Sequence, residues 1–126
     1  MSDSLHHECG IAFIRLLKPL DFYIQKYGTA TYGLNKLYLL MEKQHNRGQD
    51  GAGVANIKFD VEPGTRYISR YRSVEKQSLP DIFGRINARF EELAKSDPDK
   101  LSDTTWLKKH VAFTGELWLG HLRYGT

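Results

Sequence analysis

Three glycines, Gly48, Gly51 and Gly53, fall within six residues of one another, directly after a segment whose apolar residues are spaced for a helix. Glycine adopts positive φ without steric penalty, so His45 to Gly53 is expected as a loop without regular structure, whose backbone can approach a ligand closely. On its amino side Leu34, Leu37, Tyr38 and Met41 recur at i, i+3, i+4 and i+7. That spacing predicts an amphipathic helix from Tyr32 to about Gln44 with one face on the core. On its carboxyl side Val54 to Asp60 alternates as a strand, Glu62-Pro63-Gly64 forms a turn and Thr65 to Arg72 returns, which together predict a hairpin.

Cys9 to Ile14 is almost wholly apolar, the pattern of a central strand buried on both faces. Pro19, Asp21 and Tyr27-Gly28 break up Leu16 to Thr31, which is expected to be irregular, with one helical turn around Phe22. A second helix begins near Pro80, carries Ile82, Ile86, Phe90 and Leu93 on one face and stops at Ser96-Asp97-Pro98. Asp99 to His110 is polar with Leu101, Trp106 and Leu107 as anchors, either a short helix or a surface excursion. In the last segment, Gly115 to Thr126, strand alternation puts Leu117, Leu119, His121 and Arg123 on one face and Trp118, Gly120, Leu122 and Tyr124 on the other. A buried strand thereby delivers an arginine at its end.

A chain of 126 residues is one domain in size. Its apolar runs fall far short of the ~20 residues that a bilayer-spanning helix needs, and MSDSLHHE has neither the basic nor the apolar region of a secretory signal. A cytoplasmic location is expected. One cysteine, Cys9, excludes an internal disulfide and any Cys-pair zinc site. The net charge of +3 is too small to indicate a partner by itself.

Taken singly, the candidate residues have bland readings. Cys9 beside an apolar run is a small core hydrophobe or a reagent. His6, His7 and Glu8 carry metal-ligand chemistry, but adjacent side chains on an extended chain diverge, and no metal site is assigned. Arg47 sits in what is otherwise a solvated turn, and Arg123 would serve as a structural ion-pair partner.

In combination they point to chemistry. Cys-Gly-Ile near the start, Gln-His-Asn-Arg-Gly-Gln-Asp-Gly-Ala-Gly after the first helix and Gly-His-Leu-Arg-Tyr-Gly-Thr at the end occur in one fixed order. This set resembles the glutaminase domain of the class II glutamine amidotransferases, which are N-terminal-nucleophile hydrolases. The Gln44 to Gly53 stretch is most like the amidophosphoribosyltransferases. The resemblance implies an α+β fold, a four-layer α/β/β/α sandwich, incomplete at the carboxyl end of this chain. Residues 1–8 would be a leader that is removed, and 9–126 the amino-terminal portion of the glutaminase domain.

The resemblance also implies roles. Cys9 would be the nucleophile, freed at the chain start so that its own α-amine, with an ordinary pKa of ~7.7 to 8.0, acts as general base. Arg123 would grip the α-carboxylate of glutamine through paired charge-assisted hydrogen bonds, and Thr126 would add a hydroxyl donor. Arg47 and Gly48 match the loop that closes against the cysteine, while Gln49 and Asp50 hold that loop's shape. The oxyanion donors and the acidic partner of the substrate ammonium would follow Thr126. No cofactor is implied in this segment. Magnesium would belong to a missing phosphoribosyltransferase domain, where the released ammonia reacts with phosphoribosyl pyrophosphate to give phosphoribosylamine for purine synthesis. Glutamine, that synthase domain and further copies of the full-length chain are the implied partners. Two departures stand out: Asn46 lies between His45 and Arg47, and Val74 to Thr114 is long for such a domain, as a surface elaboration or an oligomer contact.

Other readings are the glutaminase half of a different class II amidotransferase, a non-catalytic module on the same fold, and a basic-aromatic module binding nucleic acid or anions. The last rests on Arg66, Arg70 and Arg72 with Tyr67 and Tyr71. Strand alternation separates Arg66, Ile68, Arg70 and Arg72 from Thr65, Tyr67, Ser69 and Tyr71, which makes nucleic acid an unfavoured partner.

Overall fold

In a computed structural model the chain is described over residues 10–44 and 49–124, with Gln49, Asp50 and Tyr124 described as backbone alone. Four strands form one antiparallel sheet: β1 (Gly10–Arg15), β2 (Gln49–Ile57), β3 (Ile68–Ser73) and β4 (Leu117–Tyr124). Their spatial order is β1-β4-β2-β3, so the last strand is inserted between the first two. Four α-helices join them: α1 (Leu20–Tyr27), α2 (Tyr32–Gln44), α3 (Ser78–Ser96) and α4 (Thr104–His110), with a 3-10 segment over Pro98–Ser102. The fold is α+β. No helix among the described residues is long and apolar enough to cross a membrane.

One sheet face carries the core. Ala12, Ala52, Val54, Trp118 and Leu122 are buried there beneath Leu34, Leu37 and Met41 of α2 and Leu79, Ile82, Phe83 and Ile86 of α3. The helix α2 lies close to β4 because Gly120 has no side chain: a Cβ there would meet the Met41 sulfur at 2.5 Å. Helices on an amphipathic sheet bury their apolar stripe in this way.

Several elements depart from the sequence pattern. β1 is an edge strand, not a central one, and its outward residues Ile11 and Phe13 are 73% and 57% exposed. Its apolar run fits burial on both sides, but the described chain covers only one. The glycine-rich stretch is not a loop throughout. From Gln49 onward it is strand β2, paired with β4 from Gln49 and with β3 from Ala52, with a register shift between Gln49 and Gly51. Two flanking ladders outweigh glycine's poor strand propensity, and the irregularity falls where a glycine permits it.

Leu16 to Thr31 contains a full helix, α1, stopped by Gly28 at φ 79° with its N–H on the Ile24 carbonyl. Val74 to Thr114 is no surface elaboration. Its helices contribute Leu79, Ile82, Phe83, Ile86, Phe90, Leu93, Leu107 and Val111, as many residues of the main core as the rest of the chain supplies.

The hairpin forms, but with a longer tip than the pattern suggests. Beyond Ile57 the Lys58 N–H still donates across the hairpin to the Tyr67 carbonyl at 2.8 Å, and the residues then bond elsewhere. Lys58 donates to the Lys108 and Val111 carbonyls at 2.6 and 2.9 Å, and the Phe59 N–H donates to Glu116 Oε1 at 2.9 Å. Lys58 thereby satisfies carbonyls at the carboxyl end of α4, the end where a positive charge is favourable. The other end of α4 is capped by Asp103, which accepts the Trp106 N–H at 3.0 Å.

Candidate active site

The three motifs lead to one end of the sheet. Gly10 pairs with Leu122, Gln49 pairs with Tyr124 and Gly51 pairs with Arg123. The amino ends of β1 and β2 and the carboxyl end of β4 are therefore neighbours, although the residues that form them are dozens of positions apart in the chain. A fourth segment is tied to the same corner: the Gln44 side chain, at the end of α2, donates to the Ile11 carbonyl at 3.0 Å. Gly10 makes that approach possible, because a Cβ there would lie 2.3 Å from Gln44 Oε1. A side chain after Cys9 would make the Gln44 amide give way.

Arg123 lies on the outer face of β4 and is exposed. Among the described residues it has no carboxylate or hydrogen-bond partner, so its guanidinium is uncommitted. Its cross-strand neighbour on β2 is Gly51, which offers no side chain to crowd it. One row down, His121 pairs with Gly53 and with Ile11. A Cβ at Gly53 would meet His121 Nε2 at 2.9 Å, so the imidazole rests against bare backbone. From this row a shallow groove of about 750 Å3 crosses the outer face, with Ile11, Leu119 and His121 on one side and Arg70 and Arg72 on the other. Arg123 is not among the residues that line this groove; the groove's own cations, Arg70 and Arg72 beside His121, suit a small ligand carrying a carboxylate.

Of the residues to which the resemblance assigns a catalytic or substrate-binding role, Arg123 alone has a described side chain. Cys9, Arg47, Gly48 and Thr126 lie outside the described residues, as do His6, His7, Glu8, the 1–8 segment and Asn46. Gln49 and Asp50 are placed by their backbone in β2. Among the described residues no three His, Cys, Asp or Glu side chains gather as a metal site would require.

The basic-aromatic hairpin is not assembled as a stacking surface. Ile68, Arg70 and Arg72 are exposed on the outer face, whereas Ser69 and Ser73 are buried and Tyr71 is half-buried on the inner one. Tyr71 lies under the Arg85 guanidinium of α3, 5.5 Å from its ring centre. Arginines and aromatic rings of β3 therefore face apart.

A charged network at the other end of the sheet is not apparent from motif patterns. Lys108 pairs with Glu116 at 2.6 Å and also donates to the Phe59 carbonyl, while Lys58 sits buried beside them. Burial lowers the Lys58 pKa below the ordinary lysine value, with the Lys108 and Arg66 charges acting in the same direction. The signal was present in parity: Val54, Asn56 and Lys58 share a strand face, so two polar residues point where an apolar core is expected.

No family model matches the chain, and no curated protein or solved structure matches it.

Proposed function

We propose that this chain is the amino-terminal part of a glutamine-hydrolysing domain of the class II amidotransferase type, which releases ammonia for transfer to an acceptor. The observation that carries this proposal is the meeting of three separate motifs at one sheet corner, where Gly10, Gly51 and Arg123 become neighbours. Gly10 follows Cys9 directly in the chain, and Gln49 follows Gly48. The antiparallel order β1-β4-β2 puts these ends together, and the exposed Arg123 beside them supports the reading.

In the proposed reaction, removal of residues 1–8 frees the Cys9 amine, which takes the thiol proton. The thiolate attacks the side-chain carbonyl carbon of glutamine and forms a C–S bond. The C–N bond then breaks, and ammonia leaves with the proton returned by the amine. Water cleaves the glutamyl thioester to give glutamate and the free thiol. Arg123 holds the α-carboxylate throughout, with Thr126 beside it. Arg47 and Gly48 close the loop over the bound amino acid. Transition-state charge on the carbonyl oxygen requires donors worth about two to three powers of ten in rate each, and these belong to the segment after Thr126.

The exposed apolar residues of the outer face, Ile11, Phe13, Leu119 and Ile68, support the finer fold proposal, a four-layer sandwich in which a second sheet covers them. Phosphoribosyl pyrophosphate is the proposed acceptor of the ammonia and the cytoplasm the proposed location.

The test is covalent. The protein, extended past Thr126 where the longer chain exists, is treated with a glutamine-shaped electrophile and the adduct is mapped by mass spectrometry. Labelling is expected at Cys9, blocked by glutamine and lost in Arg123→Ala. Absence of any adduct at Cys9 in the longer chain overturns the proposal. An intact mass showing full activity with Met1 to Glu8 still attached overturns the amine-as-base step.

A further inference from the structure

The end of the sheet opposite Arg123 holds a second concavity. A cavity of about 510 Å3 opens between the β1–α1 connection, the segment that leaves β2 and one face of α4. Its size falls in the range of small-molecule sites, about 300 to 1,000 Å3. The walls are built by fixed contacts. The Leu16 N–H donates to the Glu116 carbonyl at 2.8 Å, Lys108 joins Glu116 to the Phe59 carbonyl, and the Arg15 guanidinium lies 5.3 Å from the centre of the Phe59 ring.

Charge is concentrated there. Thr105 and Lys109 stand one turn apart on α4 and line the cavity together, with Arg15 and Lys18 from the β1–α1 connection and Thr65 from the hairpin loop. Lys108 is committed to Glu116, and Thr104 donates to Asp21 at 2.7 Å, so neither is available. Asp60 and Glu62 also reach the cavity and are counted against it. Beneath the wall, Lys58 is buried on backbone carbonyls with no carboxylate partner among the described residues. Four cations, Arg15, Lys18, Lys108 and Lys109, line the cavity against three carboxylates, Asp60, Glu62 and Glu116, and Lys58 lies buried behind Lys108. A concave site lined by an excess of one sign of charge attracts the opposite one, here an anion.

We propose that this cavity binds a small organic phosphate, with Arg15, Lys18, Lys109 and Thr105 around the phosphoryl group and Leu16, Leu20 and Val61 along its body. A phosphoryl group brings about 1.5 to 2 negative charges and three acceptor oxygens, which matches several cations and hydroxyls lining one cavity better than a carboxylate does. The site is separate from the corner at Arg123 and does not depend on glutamine hydrolysis.

The experiment is a titration of the isotopically labelled 126-residue chain with glycerol 3-phosphate, followed by amide NMR at constant ionic strength. Acetate and sodium chloride serve as the carboxylate and simple-salt arms. Saturable shifts are expected at residues 15–20, 59–65 and 104–109. The double variant Lys18→Ala/Lys109→Ala, both exposed positions, should weaken binding at least tenfold, and Thr105→Val about threefold. Lys43→Ala/Lys95→Ala, on other surfaces, should leave the affinity unchanged. Shifts that grow linearly, spread over the surface, appear equally with acetate or chloride, or survive unaltered in both cavity variants overturn the proposal.

Discussion

The two faces of the sheet are made from the same four strands and could hardly be treated more differently. On the inner face Ala12, Val54, Trp118 and Leu122 are sealed beneath α2 and α3. On the outer face Ile11, Phe13, Leu119 and Ile68 stand exposed, interspersed with Arg15, Arg70, Arg72 and Arg123 and with no acidic side chain among the outward strand residues described. The inner face shows how burial is bought in this fold: small residues such as Gly120 are placed where a helix must come close. The outer face has the same two ingredients, apolar side chains and bare glycines at Gly51 and Gly53, without a layer on top. The difference teaches where stability and where chemistry are to be sought.

The largest effect should come from the inner face. Trp118 is 2% exposed and stacks on Phe113 with ring centres 6.1 Å apart. Trp118→Ala is expected to cost about 3 to 5 kcal/mol, measured by urea denaturation of the 126-residue chain. A cost under 1 kcal/mol would mean that the inner core is not packed as described.

Next is the network at the lower end of the sheet. Glu116→Ala leaves Lys108, itself only 14% exposed in its side chain, without its carboxylate and beside Lys58. Breaking a buried pair from one side costs about 3 kcal/mol, less here to the extent that water reaches Lys108. Partial rescue by Lys108→Met in the Glu116→Ala background would identify the stranded charge as the cause.

The outer face should answer with almost nothing. Phe13→Ser removes a large ring, yet at 57% exposure the cost in this chain is expected within about 0.5 kcal/mol. A loss of several kcal/mol instead would show the face to be covered in solution. The same substitution made in a longer chain sharpens the contrast: under the proposed sandwich its cost rises toward that of a core position.

Much of the inner face was legible in the amino-acid pattern. The spacing of Leu34, Leu37 and Met41 predicts α2 within its observed bounds, and Ile82, Ile86, Phe90 and Leu93 mark the buried stripe of α3. Alternation along β4 puts Trp118 and Leu122 on one face and Leu119, His121 and Arg123 on the other, and the structure buries the first pair and exposes the second set. Periodicity reports burial on one side of an element, and it reads well wherever a partner layer exists. It does not report strand order, so it is silent on the edge position of β1, and it has no hold on glycine, so it predicts a loop through Gly53 where β2 forms. The short helix α4 is fixed by tertiary contacts of Lys58 and Leu107 more than by its own seven residues. As for the site, the motifs identify Arg123 and the cysteine's neighbour Gly10, while their meeting depends on pairings between strands remote in sequence.

The smallest effect lies where α3 is fastened to the inner side of β3. Asp81 is held below the ordinary carboxylate range, chiefly by a hydrogen bond from Ser73 and then by Arg85, whose Nε lies 2.9 Å from its carboxylate. A folded pKa below the unfolded one means that the unfolded chain binds the proton more readily as the solution is acidified. Stability from Asp81 is therefore complete above the unfolded pKa of about 3.9 and is lost as pH falls through that value toward the depressed one. Asp81→Asn removes this contribution, so the variant should lose less stability than the parent between about pH 5 and pH 3, with the two chains differing most at neutral pH. Because the Arg85 partner is exposed, the difference should shrink further in high salt. Parallel stability profiles for parent and variant across that interval would show that this fastening of α3 to the sheet does not hold in solution.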